Sequence, residues 1–119
     1  MSVEIDIAYL GELRCEATHK PSGSKIHTDA PVDNHGKGES FSPTDLVATA
    51  LGACMLTIMG IVAQRNNWDL SGTTVHVTKE MAAKPARRIG KLGVTITLPA
   101  GISATFSPED RLKIENAAH

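Results

Sequence analysis

Between Leu46 and Ala63 the chain runs for 18 residues without a charge, and few folds accept such a segment. Its length reaches the threshold for a helix crossing a hydrocarbon layer. Its composition points elsewhere. Gly52, Gly60, Thr49, Thr57 and four alanines dilute its hydrophobicity, and Trp68 lies five residues beyond its end, too far to serve as an interfacial flank. A soluble helix that is apolar on every side belongs in a core. One small sheet cannot cover it, so the run predicts a homodimer whose core includes this helix. Ala48 and Gly52, four apart, predict the face on which a partner helix approaches.

The helix start is well marked. Ser42 suits an N-cap, Pro43 the first helical position, and Asp45 puts a carboxylate in the first turn. The expected helix covers residues 43–66. Upstream, Val3, Ile5, Ile7 and Tyr9 alternate with Glu4, Asp6 and Ala8, the period of a strand with one buried face. Gly11-Glu12 reads as a turn, after which Leu13, Cys15 and Ala17 alternate with Arg14, Glu16 and Thr18. A second turn at Pro21-Ser22-Gly23-Ser24 leads to a short strand ending near Asp29. Residues 1–30 thus read as an antiparallel meander, and residues 31–41 as a loop rich in Pro, Asp, Asn and Gly. Downstream, Thr73 to Met81 and Ile89 to Leu98 predict a hairpin over residues 72–98, joined by a basic, solvated turn (Lys84, Arg87, Arg88). Ser107-Pro108-Glu109-Asp110 repeats the helix-start pattern ahead of a last helix. The expectation is one α+β domain over residues 1–119, with antiparallel sheets around a long buried central helix.

Composition excludes several classes of function. With 12 basic and 13 acidic residues, none in blocks, nothing favours nucleic acid or an anionic membrane. Met1 to Asp6 is acidic and strand-like, unlike a signal peptide. Two cysteines, Cys15 and Cys54, are too few for a disulfide scaffold. A reducing cytoplasm is the expected location.

Among residues able to do chemistry, Cys54 sits mid-helix, where a free cysteine is commonly a small packed hydrophobe. Cys15 has the same reading on the apolar face of its strand. The five histidines (His19, His27, His35, His76, His119) show no local ligand spacing, so no metal or other cofactor is expected. Gly36-x-Gly38 lacks the rest of a phosphate-loop pattern. His76 and Glu80 share the solvated face of a strand. Arg14 is a half-exposed arginine or a cation brought to a site assembled from elsewhere. A guanidinium near a thiol favours the thiolate, the nucleophilic form.

The segment Phe41-Ser42-Pro43-Thr44-Asp45-Leu46-Val47-Ala48-Thr49-Ala50-Leu51-Gly52-Ala53-Cys54 resembles the signature of the OsmC/Ohr family. There, a glycine-rich loop leads into Ser-Pro or Asn-Pro, an acidic residue, a Leu-rich turn and Ala/Gly-x-Cys. Asp29, Gly36 and Gly38 fit the loop before it, and Pro108 to His119 looks like the last shared helix. The resemblance implies an intertwined α+β homodimer with two sites near the subunit interface. It also implies a thiol-dependent peroxidase that reduces organic hydroperoxides in oxidative-stress defence. On that pattern Cys54 is the peroxidatic cysteine, Arg14 the partner of its thiolate, and Asp45 the carboxylate of the site or a helix cap. The substrate is an organic hydroperoxide and the reductant a dithiol.

Three departures refine this. Peroxidase branches place glutamate directly after the proline, where this chain has Thr44. The shift to Asp45 turns a carboxylate by about 100° on a helix and looks like the OsmC-like branch. The residues around Arg14 differ from those around the family's early arginine. The family's resolving cysteine normally follows Ala-Ala-His in a Cys-Pro-Val segment, so the resemblance implies either that the chain continues past His119 or that an external thiol completes the cycle. The competing expectation is a non-catalytic OsmC-fold protein that binds a small apolar ligand at the dimer interface, with Cys54 merely packed.

Overall fold

The computed structural model describes residues 1–99. The last helix, expected from about residue 107, lies outside the described residues. The chain divides into two compact units, residues 1–47 and 48–119.

The first unit holds a three-stranded antiparallel sheet in the order β1 (Ile5–Gly11), β2 (Arg14–His19), β3 (Lys25–Asp29). The meander follows from the alternation and turns seen in the sequence, but the first turn is shifted. Its central residues are Glu12 and Leu13, with φ of 54° and 64°, and a bulge between Tyr9 and Gly11 absorbs the extra residue. A two-residue hairpin turn of this hand needs positive φ at both positions, so Leu13 leaves the apolar face predicted for it. Two hydrogen bonds hold Leu13 there. Its N–H donates to the Tyr9 hydroxyl at 3.2 Å, and its carbonyl accepts from Ala30 N–H at 3.2 Å.

The glycine-rich loop is more ordered than its composition suggests. It contains a 3₁₀ turn at Val32–Asn34, closed by Asn34 N–H and Gly36 N–H donating to the Pro31 carbonyl at 2.9 and 3.0 Å. The long helix α1 (Pro43–Arg65) then starts in the first unit and runs through the second. At its far end Asn67, at φ 57°, lets Trp68 N–H reach the Ala63 carbonyl at 2.9 Å and Asn67 N–H reach that of Gln64 at 3.3 Å. This left-handed cap satisfies carbonyls that the helix itself leaves open.

In the second unit, β4 (Thr74–Ala82) and β5 (Arg88–Thr97) pair antiparallel, with Val75 opposite Ile96 and Val77 opposite Val94. The face of α1 that is buried carries Ala48, Gly52, Met59 and Ala63. A Cβ on Gly52 would lie 2.9 Å from a Val77 methyl and 3.2 Å from one of Val75. This corrects the expectation of a partner-helix contact at Gly52. Gly52 lets α1 sit down on the β-branched side chains of β4, so a partner must meet a face other than that of Gly52. Val47, Leu51, Ile58 and Ile61 on α1 are exposed in the single chain, and the α+β class read from the sequence holds.

Candidate functional site

Arg14 is the first residue of β2, directly after the strained turn, and its Cα pairs with Asp29 at the end of β3. The guanidinium meets two carboxylates through one nitrogen. Nη2 lies 2.6 Å from Glu39 Oε2 and 3.5 Å from Asp29 Oδ2. Asp29 is almost fully buried, whereas Glu39 is exposed. The same Asp29 Oδ2 accepts the backbone N–H of Glu39 at 3.2 Å, and Asp29 N–H donates to the Phe41 carbonyl at 3.0 Å. The hydrogen bond that Arg14 donates to Glu39 raises the Arg14 pKa, opposed by partial burial and supported by the charges of Glu39, Asp29 and Glu12. Arg14 Nε and Asp29 Oδ1 are buried without a hydrogen-bond partner.

Asp45 closes the start of α1. Its carboxylate accepts Ser42 N–H at 2.9 Å while its own N–H donates to Ser42 Oγ at 3.1 Å. This is a reciprocal capping box with aspartate in the usual glutamate position. Ser42 is itself 1% exposed.

Cys54 lies near the middle of α1 and is exposed in the single chain. Val47, Leu51, Ile58 and Ile61 are exposed as well. Together with Cys54 they recur at alternating intervals of four and three residues, a stripe of the kind that pairs helices. No charged residue stands on α1 between Asp45 and Arg65, and Cys54 is too far from the helix start to feel its dipole strongly. Any cation that favours its thiolate must come from another element.

Cys15 is half-buried in β2 and unoxidised. His27 Nε2 lies 2.9 Å from Glu16, as part of a surface cluster with Lys25. Among the described residues no group of three His, Cys, Asp or Glu side chains is placed to hold a metal ion. A cavity of about 360 Å³ opens at the end of α1 between Met59, Ala63, Trp68 and Leu70, and Cys54 does not line it.

Sequence reading singled out Arg14, Asp45 and Cys54 but missed Glu39, and it gave Asp29 no partner. Counting outward from the turn expected at Pro21 to Ser24 would set Arg14 opposite Pro31; the loop instead runs from His19 to Ser24, and that wider loop brings Arg14 opposite Asp29. Glu39 carries no signal either, because it reaches Arg14 across 25 residues of chain.

With the fold and these residues in view, the comparisons define the class. The family of OsmC-like proteins matches residues 36–113. The chain belongs to the OsmC/Ohr family. A provisionally named osmotic stress induced and detoxification response protein from Psychrobacter arcticus is 45% identical, with a TM-score of 0.88 over 99% of this chain and 82% of that one. More distant solved structures share the fold. An organic hydroperoxide resistance protein from Legionella pneumophila is 18% identical, with a TM-score of 0.68 over 98% of this chain and 82% of that one. OhrB of Bacillus subtilis is 15% identical, with a TM-score of 0.62 over 100% and 84%. No curated protein matches the sequence.

Proposed function

We propose that this chain acts as one OsmC-like domain, in a soluble cytoplasmic homodimer, and reduces organic hydroperoxides through Cys54. The observation that carries the reading is Cys54 itself. It lies in the family's signature segment, and in the single chain it faces outward rather than serving as packing against β4.

In the proposed reaction the Cys54 thiolate attacks one oxygen of ROOH. The O–O bond breaks, an S–O bond forms, and RO⁻ leaves and is protonated to the alcohol. Sulfur loses two electrons and becomes a sulfenic acid. A dithiol reductant then displaces water to form a mixed disulfide, and its second thiol releases Cys54 and closes its own disulfide. Arg14 is the cation proposed to favour the thiolate. Asp45 serves as the cap of α1, a role supported by its two hydrogen bonds to Ser42.

The homodimer reading is supported by the open stripe Val47, Leu51, Cys54, Ile58 and Ile61. A contiguous apolar face of this kind is costly to leave in water.

The test is consumption of cumene hydroperoxide with dithiothreitol as reductant. Cys54→Ser is expected to reduce the rate to background while Cys15→Ser retains it. Equal, slow consumption by wild type and Cys54→Ser would sink the peroxidase reading and leave the apolar-ligand reading standing.

A further inference from the structure

Every residue lining the 360 Å³ cavity belongs to the second unit, on α1 or on the loop that follows it. We propose that this cavity binds a small apolar ammonium ion, with its hydrocarbon against α1 and its charge at Asp69. Cys54 does not line the cavity, so the site stands apart from the peroxide chemistry.

The floor comes from the helix. Leu56, Met59 and Ala63 line the cavity together with Gly60, and positions i, i+3, i+4 and i+7 share one face of a helix. At Gly60 that face carries no side chain, and an added Cβ would meet nothing within 4 Å. Glycine inside a helix opposes folding. At Gly52 its absent side chain admits Val77 and Val75, whereas at Gly60 it leaves open space.

The opposite wall is held by its own backbone. Trp68 N–H donates to the Ala63 carbonyl at 2.9 Å. Thr73 donates to the Leu70 carbonyl twice, from N–H at 3.0 Å and from Oγ1 at 2.6 Å. Trp68 and Leu70 line the cavity from this wall. A preformed apolar hollow of this size falls within the range of small-molecule sites, roughly 300–1,000 Å³.

Asp69 sets the sign of the ligand. Among the described residues that line the cavity, it alone is charged. Ser71 N–H donates to its Oδ1 at 2.9 Å. Hydrogen bonds from the Ser71 side chain first and the Ser71 backbone second keep the carboxyl below the ordinary 3.8, so it is ionised at neutral pH. No cationic side chain among the described residues neutralises it. An anion would be repelled here, and a neutral apolar molecule would leave the carboxylate unmatched. An ammonium group matches it, and Gln64 in the same lining offers an amide oxygen as a second acceptor.

Trp68 is the only tryptophan of the sequence, so its emission reports on this cavity. The full chain is titrated with cyclohexylmethylammonium chloride while tryptophan emission is followed. Cyclohexylmethanol and cyclohexanecarboxylate serve as the neutral and anionic counterparts. The expected result is a saturable change with the amine and none with the carboxylate. The amine should bind about fivefold more tightly than the alcohol, the upper range for an ion pair open to water. Asp69→Asn is expected to bring amine and alcohol to within about twofold of each other, because an amide does not pair with the charge. Gly60→Leu fills the opening and should weaken both ligands at least about tenfold, since their apolar contact is lost. No saturable response to the amine, equal affinity for amine and alcohol, or a preference that survives Asp69→Asn overturns the proposal. So does a folded Gly60→Leu that binds as wild type does. Asp69 is exposed, so Asp69→Asn decides the matter even where Gly60→Leu fails to fold.

Discussion

A methyl group added at Gly36 would sit 1.8 Å from the carbonyl oxygen of Ala30 and 2.5 Å from its Cβ. The backbone of the loop would have to move, and that loop carries Glu39. Gly36→Ala is therefore expected to destabilise the protein by about 3 kcal/mol, the upper range for forced overpacking, measured by urea denaturation. A second residue-scale expectation concerns Glu16 on β2. Hydrogen bonds from Lys25 first and His27 second, with the charge of Lys25, hold its carboxyl below the ordinary 4.5. A depressed folded-state value means the stabilisation is present above 4.5 and is lost as pH falls through the folded value. The thermal midpoints of wild type and Glu16→Gln should thus differ at neutral pH and converge as the pH falls below 4.5 and through the folded value. A constant difference across that range contradicts the assignment. Neither of these contacts was legible in advance. The requirement at Gly36 depends on a 3₁₀ turn bringing Ala30 back onto it, which composition does not announce.

The long helix is the element in which sequence and structure agree on limits and differ on orientation. Its start was legible because a capping box is a local arrangement of Ser42, Pro43 and Asp45. Its inward face was not legible, since a helix apolar on every side gives hydrophobicity no direction to choose. Two glycines on the same helix test how the choice was made. Gly60 has nothing within 4 Å of an added Cβ, whereas Gly52 would meet Val77 and Val75. Gly60→Ala should raise stability by up to about 1 kcal/mol through helix propensity. Gly52→Ala should lower it by about 1–2 kcal/mol, because overpacking on β4 outweighs that gain. Chemical denaturation of both reads the difference, and equal effects would show that α1 does not rest on β4 through Gly52.

At the scale of the whole molecule, two apolar surfaces stand out as exposed among the described residues. One is the α1 stripe with Cys54 among it, and the other is Ile5, Ile7 and Tyr9 on β1. If the stripe meets a second copy, Ile58→Glu should shift the protein from dimer to monomer in sedimentation. Burying an unpaired carboxylate there costs several kcal/mol per site, and the symmetric interface contains the site twice. Sedimentation of Ile58→Glu as an unchanged dimer would place the interface elsewhere, with the β1 face the next surface to test.

The sequence by itself determined what short-range interactions decide: the alternating strands of the meander and the capped start of α1. It also determined the family, because the segment from Phe41 to Cys54 is contiguous. Tertiary structure decided which side of α1 turns inward, with Gly52 admitting Val75 and Val77. It decided the register that sets Arg14 opposite Asp29, and that Glu39 meets Arg14. These outcomes depend on shape and on contacts between residues distant in the chain. A period of apolar residues can say that a surface must be covered, but only packing selects what covers it.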